Sequence, residues 1–202
     1  MKKNLFKFRF LTFLLTAIFF LSLASCGKKD SADDSDDDNN NTTATTSNMT
    51  AIVDGNSWYS NTAYNTTDNA AYAEVYINSD STYEVNIIGD HYYFTNSLYT
   101  GYDIISLSVF KLSGTGTFNL NTTAEDARGT FYTLDGTTYT YEAYSTDSVN
   151  SGYTGTLVVT KFDYANKKIS GTFSFNANEY APMDSTGSVS ITEGKFTDVT
   201  WQ

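Results

Sequence analysis

Gly155-Thr156-Leu157-Val158-Val159-Thr160-Lys161-Phe162-Asp163 runs through Ala165-Asn166-Lys167 into Lys168-Ile169-Ser170-Gly171-Thr172-Phe173-Ser174-Phe175. This stretch decides the fold class. In its second half Ile169, Gly171, Phe173 and Phe175 share one face, while Thr172, Ser174 and Asn176 share the other. A repeat of two is the signature of a strand with one face buried and one wet. β-Branched and aromatic residues dominate both halves, and polar residues separate them, so the pair reads as a hairpin.

The same grammar extends in both directions. Glu74-Val75-Tyr76-Ile77 and Thr82 to Ile87 alternate around Asn78-Ser79-Asp80-Ser81, a second hairpin. Ile105, Leu107 and Val109 line one face of a further strand, with Ser106 and Ser108 opposite. Ala127 to Leu134 and Thr137 to Tyr144 flank Asp135-Gly136, which predicts a two-residue loop. Asp54-Gly55 predicts another tight turn, with Trp58 after it packing a hydrophobic edge. Val189 and Ile191 are odd while Phe196 is even, so a turn or bulge is expected at Glu193-Gly194. No window of a dozen residues carries the i, i+3, i+4, i+7 spacing of an amphipathic helix. Roughly ten short strands predict an all-β domain over 48–202, a single antiparallel β-sandwich. A closed lipocalin-like β-barrel is the alternative, because the pattern does not say whether the first and last strands pair.

Four strands start with Gly-Thr and an apolar residue: Gly116-Thr117-Phe118, Gly129-Thr130-Phe131, Gly155-Thr156-Leu157 and Gly171-Thr172-Phe173. With Ile191-Thr192-Glu193-Gly194-Lys195-Phe196 and the opening Ala51-Ile52-Val53-Asp54-Gly55-Asn56-Ser57-Trp58, this wording resembles a family of small secreted Bacteroidota lipoproteins of unknown function. The resemblance spans nearly all of 48–202 and implies an all-β secreted domain. It brings no activity with it.

The N-terminal residues read as a lipoprotein signal over 1–25. Lys2, Lys3, Lys7 and Arg9 precede an uncharged run of 14 residues, Phe10 to Leu23. A bilayer span takes about 20 apolar residues, so this run suits the core of a secretion signal rather than a membrane helix. It ends in Leu23-Ala24-Ser25-Cys26, which resembles the bacterial lipoprotein box, and Cys26 is the only cysteine of the chain. The resemblance implies diacylglycerol transfer to the Cys26 thiol, cleavage before it, and acylation of the new N-terminus by a chain such as palmitate. The chain is then expected to be anchored to the outer membrane rather than to span one.

Residues 26–47 are expected to form a disordered acidic tether, since Gly27 to Ser47 holds no aromatic or large aliphatic residue. Asp34, Asp36 and Asp38 alternate as in a calcium loop, but the sixth position is Asn39 and the twelfth Thr45, which defeats that reading. Ser35-Asp36-Asp37-Asp38 instead resembles the export signal of Bacteroidota surface lipoproteins. Display at the cell surface is the expectation, and a periplasm-facing domain is the alternative.

Charge narrows the partners. The 202 residues hold 23 acids and 12 bases, and cleavage removes four bases and no acid, leaving a net charge of -15. Nucleic acid is excluded as an expected partner, because neutralising phosphates takes clustered Lys and Arg. One Cys and one His leave no cysteine or histidine metal motif, and no cofactor site is expected. No Gly-x-Ser-x-Gly elbow accompanies His91, which reads as a surface histidine near a strand end. No catalytic residue is assigned. A carboxylate-based hydrolase acting on glycans is the alternative class, with Asp90, Asp103, Glu125 and Asp126 among the acids it could draw on.

Tyrosine points to a different chemistry. All 16 Tyr lie beyond residue 26, and Tyr92, Tyr93, Tyr99 and Tyr102 crowd into one stretch that loses clean alternation and holds Asn96, Gly101 and Asp103, a candidate binding loop. A phenol ring with a polar tip suits recognition of a glycan or of an envelope or host protein. Tyrosine is also a good strand former, so a structural reading stands beside the binding one. Ser31, Ser81, Ser148 and Ser185 each follow Asp and precede a small, aliphatic or Thr residue, a pattern that resembles the Bacteroidota O-glycosylation sequon.

Overall fold

Asp54 (φ 47°) and Gly55 (φ 81°) form the two-residue turn expected between the first two strands, β1 (Met49–Val53) and β2 (Asn56–Tyr59). The computed structural model describes residues 47–61, 70–121, 127–147, 153–181 and 187–201. The expected signal, Cys26, the tether up to residue 46, Ser31, Ser148 and Ser185, with Glu125 and Asp126, lie outside them. Nine further strands follow: β3 (Ala71–Ile77), β4 (Tyr83–Thr95), β5 (Leu98–Leu112), β6 (Gly116–Asn121), β7 (Ala127–Asp135), β8 (Thr140–Ser145), β9 (Thr154–Asp163), β10 (Lys168–Ala181) and β11 (Ser188–Trp201).

The domain is all-β, as expected. Its strands form one sheet in the order β2-β1-β11-β3-β4-β5-β7-β8-β10-β9-β6, and a further β10–β11 pairing makes a partial ring of hydrogen bonds. The expectation of a purely antiparallel arrangement needs correction. β11 meets β3 in parallel through Thr200↔Tyr72 and Trp201↔Ala73, so the sheet is mixed. Two consecutive strands of a meander run antiparallel by necessity, but β11 reaches β3 from the far end of the chain and is free of that constraint. Neither a two-sheet sandwich nor a closed barrel follows from this pairing.

β10 organises the ring. Its first half, Lys168 to Phe175, pairs β9, while Asn178 to Ala181 pairs β8, and β11 runs along its other side from Lys168 to Asn178. The predicted faces hold: Phe173, Phe175 and Ile169 are buried, whereas Thr172, Ser174 and Asn176 are exposed. Val85, Ile87, Ile105, Leu107, Val109, Leu157, Ile191 and Val199 join them in one apolar core. Gly171 fits there because a Cβ would strike the Val158 carbonyl oxygen and the Phe196 ring.

β11 carries the expected irregularity as a bulge. The ladder slips between Phe173 and Phe175, with Glu193 in the left-handed region at φ 52°. A second slip at Asp198 (φ 48°) returns Val199 and Trp201 to the buried face. Bulges insert one residue and flip the parity of everything beyond them. The β7–β8 connection differs from its prediction. Asp135 pairs Thr140, so the loop is four residues, not two. Asp135 Oδ1 accepts from the Thr137 and Thr138 amides at 2.7 and 3.2 Å, and that side-chain turn replaces the tight one.

Candidate functional site

The stretch expected to be a binding loop is instead the paired end of the β4–β5 hairpin, which carries the predicted tyrosines and divides them. Thr95↔Leu98 closes a turn in which Asn96 and Ser97 both take positive φ. Tyr92 pairs Tyr102 directly, and Phe94 pairs Tyr99. Ring centroids lie 6.3 Å apart for Tyr92–Tyr102, 6.5 Å for Tyr92–Tyr99 and 6.4 Å for Phe94–Tyr99. Even positions of β4, and of β5 from Tyr102 onward, face away from the core, because the odd ones are Val85, Ile87, Ile105, Leu107 and Val109, and the ladder slip between Tyr93 and Phe94 brings Tyr99 to the same outer face. Tyr93 therefore lies on the opposite face from Tyr92 and Tyr102.

Register extends the outer tyrosine face across the sheet. Tyr102 pairs Leu134, which pairs Tyr141, and Ile104 pairs Tyr132. The Tyr132 and Tyr141 rings stack at 6.2 Å and 21°, and the Tyr180 hydroxyl lies 3.3 Å from that of Tyr132. Sequence reasoning missed Tyr132, Tyr141 and Tyr180, since only the pairing of β7, β8 and β10 brings them beside Tyr102. Burial, with nearby Asp90 for Tyr92 and nearby Tyr132 for Tyr141 and Tyr180, holds these three phenols well above the usual range. They remain protonated donors at any physiological pH.

Asp90 is the carboxylate of this face. Burial raises it to about 6, and a hydrogen bond from the Tyr92 hydroxyl opposes that rise. Tyr72 beside it is pushed up to about 12, first by burial and then by the Asp90 and Glu74 charges.

The other face of the hairpin holds a polar cluster. His91 is 8% exposed, which corrects the expectation of a surface histidine. Its parity is that of Val85 and Ile87, so the imidazole turns inward, 4.8 Å from the Tyr59 ring and 4.6 Å from that of Tyr93. Its Nδ1 lies 2.5 Å from the Tyr59 carbonyl oxygen. Asp103, its cross-strand partner, is 7% exposed and accepts a hydrogen bond from the Tyr93 hydroxyl. A pocket of about 450 Å³ opens beside this pair, walled by Tyr93, Phe94, Thr95, Thr100, Thr133 and Leu134, with Asp103 and Asp135. Among the described residues no group of three His, Cys, Asp or Glu is arranged to hold a metal ion. Ser81, the one sequon serine described, is exposed in the Asn78–Thr82 turn at φ 66°.

Residues 97–200 match the family model described as a domain of unknown function, DUF6252. The chain belongs to the DUF6252 family. No curated protein and no solved structure matches it. The DUF6252 match begins at the β4–β5 turn and includes Tyr99, Tyr102, Asp103, Tyr132, Asp135, Tyr141 and Tyr180, while Asp90, His91, Tyr92 and Tyr93 precede it. Both faces of the hairpin therefore straddle the edge of the DUF6252 segment.

Proposed function

We propose that this protein is a lipoprotein of the cell envelope, anchored in the outer membrane through Cys26, displayed outward, and binding glycans without cleaving them. One observation carries the binding reading. The outer face of the sheet gathers Tyr92, Tyr99 and Tyr102 at ring spacings of 6.3–6.5 Å and continues through Tyr141, Tyr132 and Tyr180. Stacked sugars present C–H faces to aromatic rings and hydroxyls to the phenol tips, and rigid tyrosines offer both at low entropic cost. On this reading the sheet folds over itself as the two layers of a sandwich, a finer description supported by one-sided burial along β4, β5 and β10. An acidic net charge and the acidic run at 30–38 support display away from anionic lipid, and the outward orientation rests on that run's likeness to a surface-export signal.

A glycan array probed with the detergent-solubilised full chain tests the reading. The wild type is expected to retain a defined subset of glycans, and the double change Tyr92→Ala with Tyr102→Ala to weaken that retention about tenfold, the effect of one to two lost ring contacts. Retention that survives the double change overturns the assignment. So does an empty array alongside a host-protein pull-down that succeeds, which would make the ligand a protein.

A further inference from the structure

The pocket behind the hairpin is separate from the tyrosine face, and its construction is specific. Tyr93, Gly101 and Asp135 form one cross-strand row, and Asp103 and Thr133 belong to the next, all on the side of the sheet that faces the core. The middle residue of the first row has no side chain. Gly101 sits at φ 152°, and a Cβ there would strike the Leu134 carbonyl oxygen, so the backbone excludes any other residue. A notch is left between the Tyr93 ring and the Asp135 carboxylate, with the buried Asp103 carboxylate at its inner end.

Its lining is mixed rather than simply acidic. Tyr93 supplies aromatic surface at 42% exposure, and Thr95, Thr100 and Thr133 line the notch with it. The Tyr93 hydroxyl donates to Asp103, which fixes the carboxylate in place. Asp135 is fixed by its own turn, where Oδ1 takes the Thr137 and Thr138 amides. Those turn hydrogen bonds hold Asp135 below the usual carboxylate range, so it stays ionised. None of the described ion pairs involves Asp103 or Asp135. Volumes of about 300–1,000 Å³ suit small ligands, and the 450 Å³ of this pocket falls in that range.

We infer that this pocket binds the terminal residue of a glycan, with Asp103 and Asp135 accepting hydrogen bonds from sugar hydroxyls and the Tyr93 ring facing the sugar's C–H surface. The inference rests on the glycan reading above and assigns the chain end to a place distinct from the outer tyrosines. It adds a specificity element: the open face retains polymer, and the notch reads its end.

Saturation-transfer NMR on the detergent-solubilised full chain separates the two claims. The probes are the methyl glycosides of glucose, galactose, mannose, fucose and N-acetylglucosamine, with lysine amide as a cationic control. At least one glycoside is expected to bind the wild type. Asp135→Asn keeps the turn acceptor and removes the charge, and is expected to weaken that binding at least about fivefold, as the loss of one charged acceptor predicts. Asp103→Asn is expected to do the same, and because Asp135 is exposed, its variant remains informative even if the buried one unfolds. No glycoside binding, binding indifferent to Asp135→Asn, or binding of lysine amide alone overturns the pocket assignment while leaving the tyrosine face to its own array test. Release of free sugar from a glycan that binds the chain would overturn it too, in favour of hydrolysis.

Discussion

Asp90 is placed where its charge is least at home. It sits among Tyr72, Tyr92 and Tyr102, and burial outweighs the Tyr92 hydrogen bond to bring it to about 6. The sign follows from which state holds the proton. Below the unfolded value near 4 both states are protonated, and above about 6 both are ionised. Between the two, the folded chain keeps a proton that the unfolded chain has released, so stability falls as pH rises through that window and then levels. Asp90→Asn removes the dependence while keeping an acceptor for Tyr92. It is expected to stabilise the fold at pH 7 by on the order of 1–3 kcal/mol, since each tenfold change in proton affinity is worth about 1.4 kcal/mol and residual solvation reduces the sum. Urea titrations of both proteins from pH 3.5 to 8 check this. Parallel curves would show that Asp90 titrates as it does in water.

Elements were legible in proportion to how local their causes are. The β3–β4 and β9–β10 hairpins alternate cleanly and close with turn residues, so each could be read from its own sequence, whereas the β4–β5 hairpin loses its alternation at the ladder slip between Tyr93 and Phe94 and reads as a loop. The β7–β8 loop could not, because Asp-Gly also suits a two-residue turn. What decides it is the Asp135 side chain capping two amides, together with the Gly136 amide donating to Thr100 on β5 at 2.8 Å. Tyr92, Tyr99 and Tyr102 were visible as a cluster because one hairpin joins them. Placing Tyr132, Tyr141 and Tyr180 beside them requires register across β5, β7, β8 and β10, which no short stretch encodes. β11 shows both cases. Its first parity change is announced by Gly194, while the second rests on Asp198 alone, whose amide and carboxylate meet the Ser170 hydroxyl and the Lys161 ammonium. Asp198 at φ 48° is tolerable for Asp and Gly and strained for a β-branched residue. Asp198→Gly is therefore expected to leave stability nearly unchanged, since exposed ion pairs contribute little. Asp198→Val adds backbone strain of about 1–3 kcal/mol. Chemical denaturation ranks the two, and equal losses would mean the bulge relaxes freely.

For the whole molecule, the charge balance constrains how the domain can be held at a membrane. With 23 acids against 8 bases beyond residue 26, the balance works against electrostatic docking on anionic lipid. Among the described residues no helix is long and apolar enough to cross a membrane either. On the proposed reading the acyl chains at Cys26 therefore supply the attachment. One such chain binds marginally, at about 0.8 kcal/mol per buried CH2, and two or three hold essentially permanently. The proposal thus makes a paired demand. Wild-type chain should stay with the membrane fraction in about 1 M salt, a concentration that shrinks the screening length to about 3 Å and releases charge-held proteins. Cys26→Ala should abolish that retention and leave a chain whose unfolding in urea matches the wild type, since the core around Ile105, Leu107 and Phe173 is built from residues between Met49 and Trp201. Outward display makes the same anchored population accessible to protease added to intact cells. Salt release of the wild type would refute the anchor. Membrane retention of Cys26→Ala would refute it equally, and protection from external protease would turn the domain toward the periplasm while leaving the anchor in place.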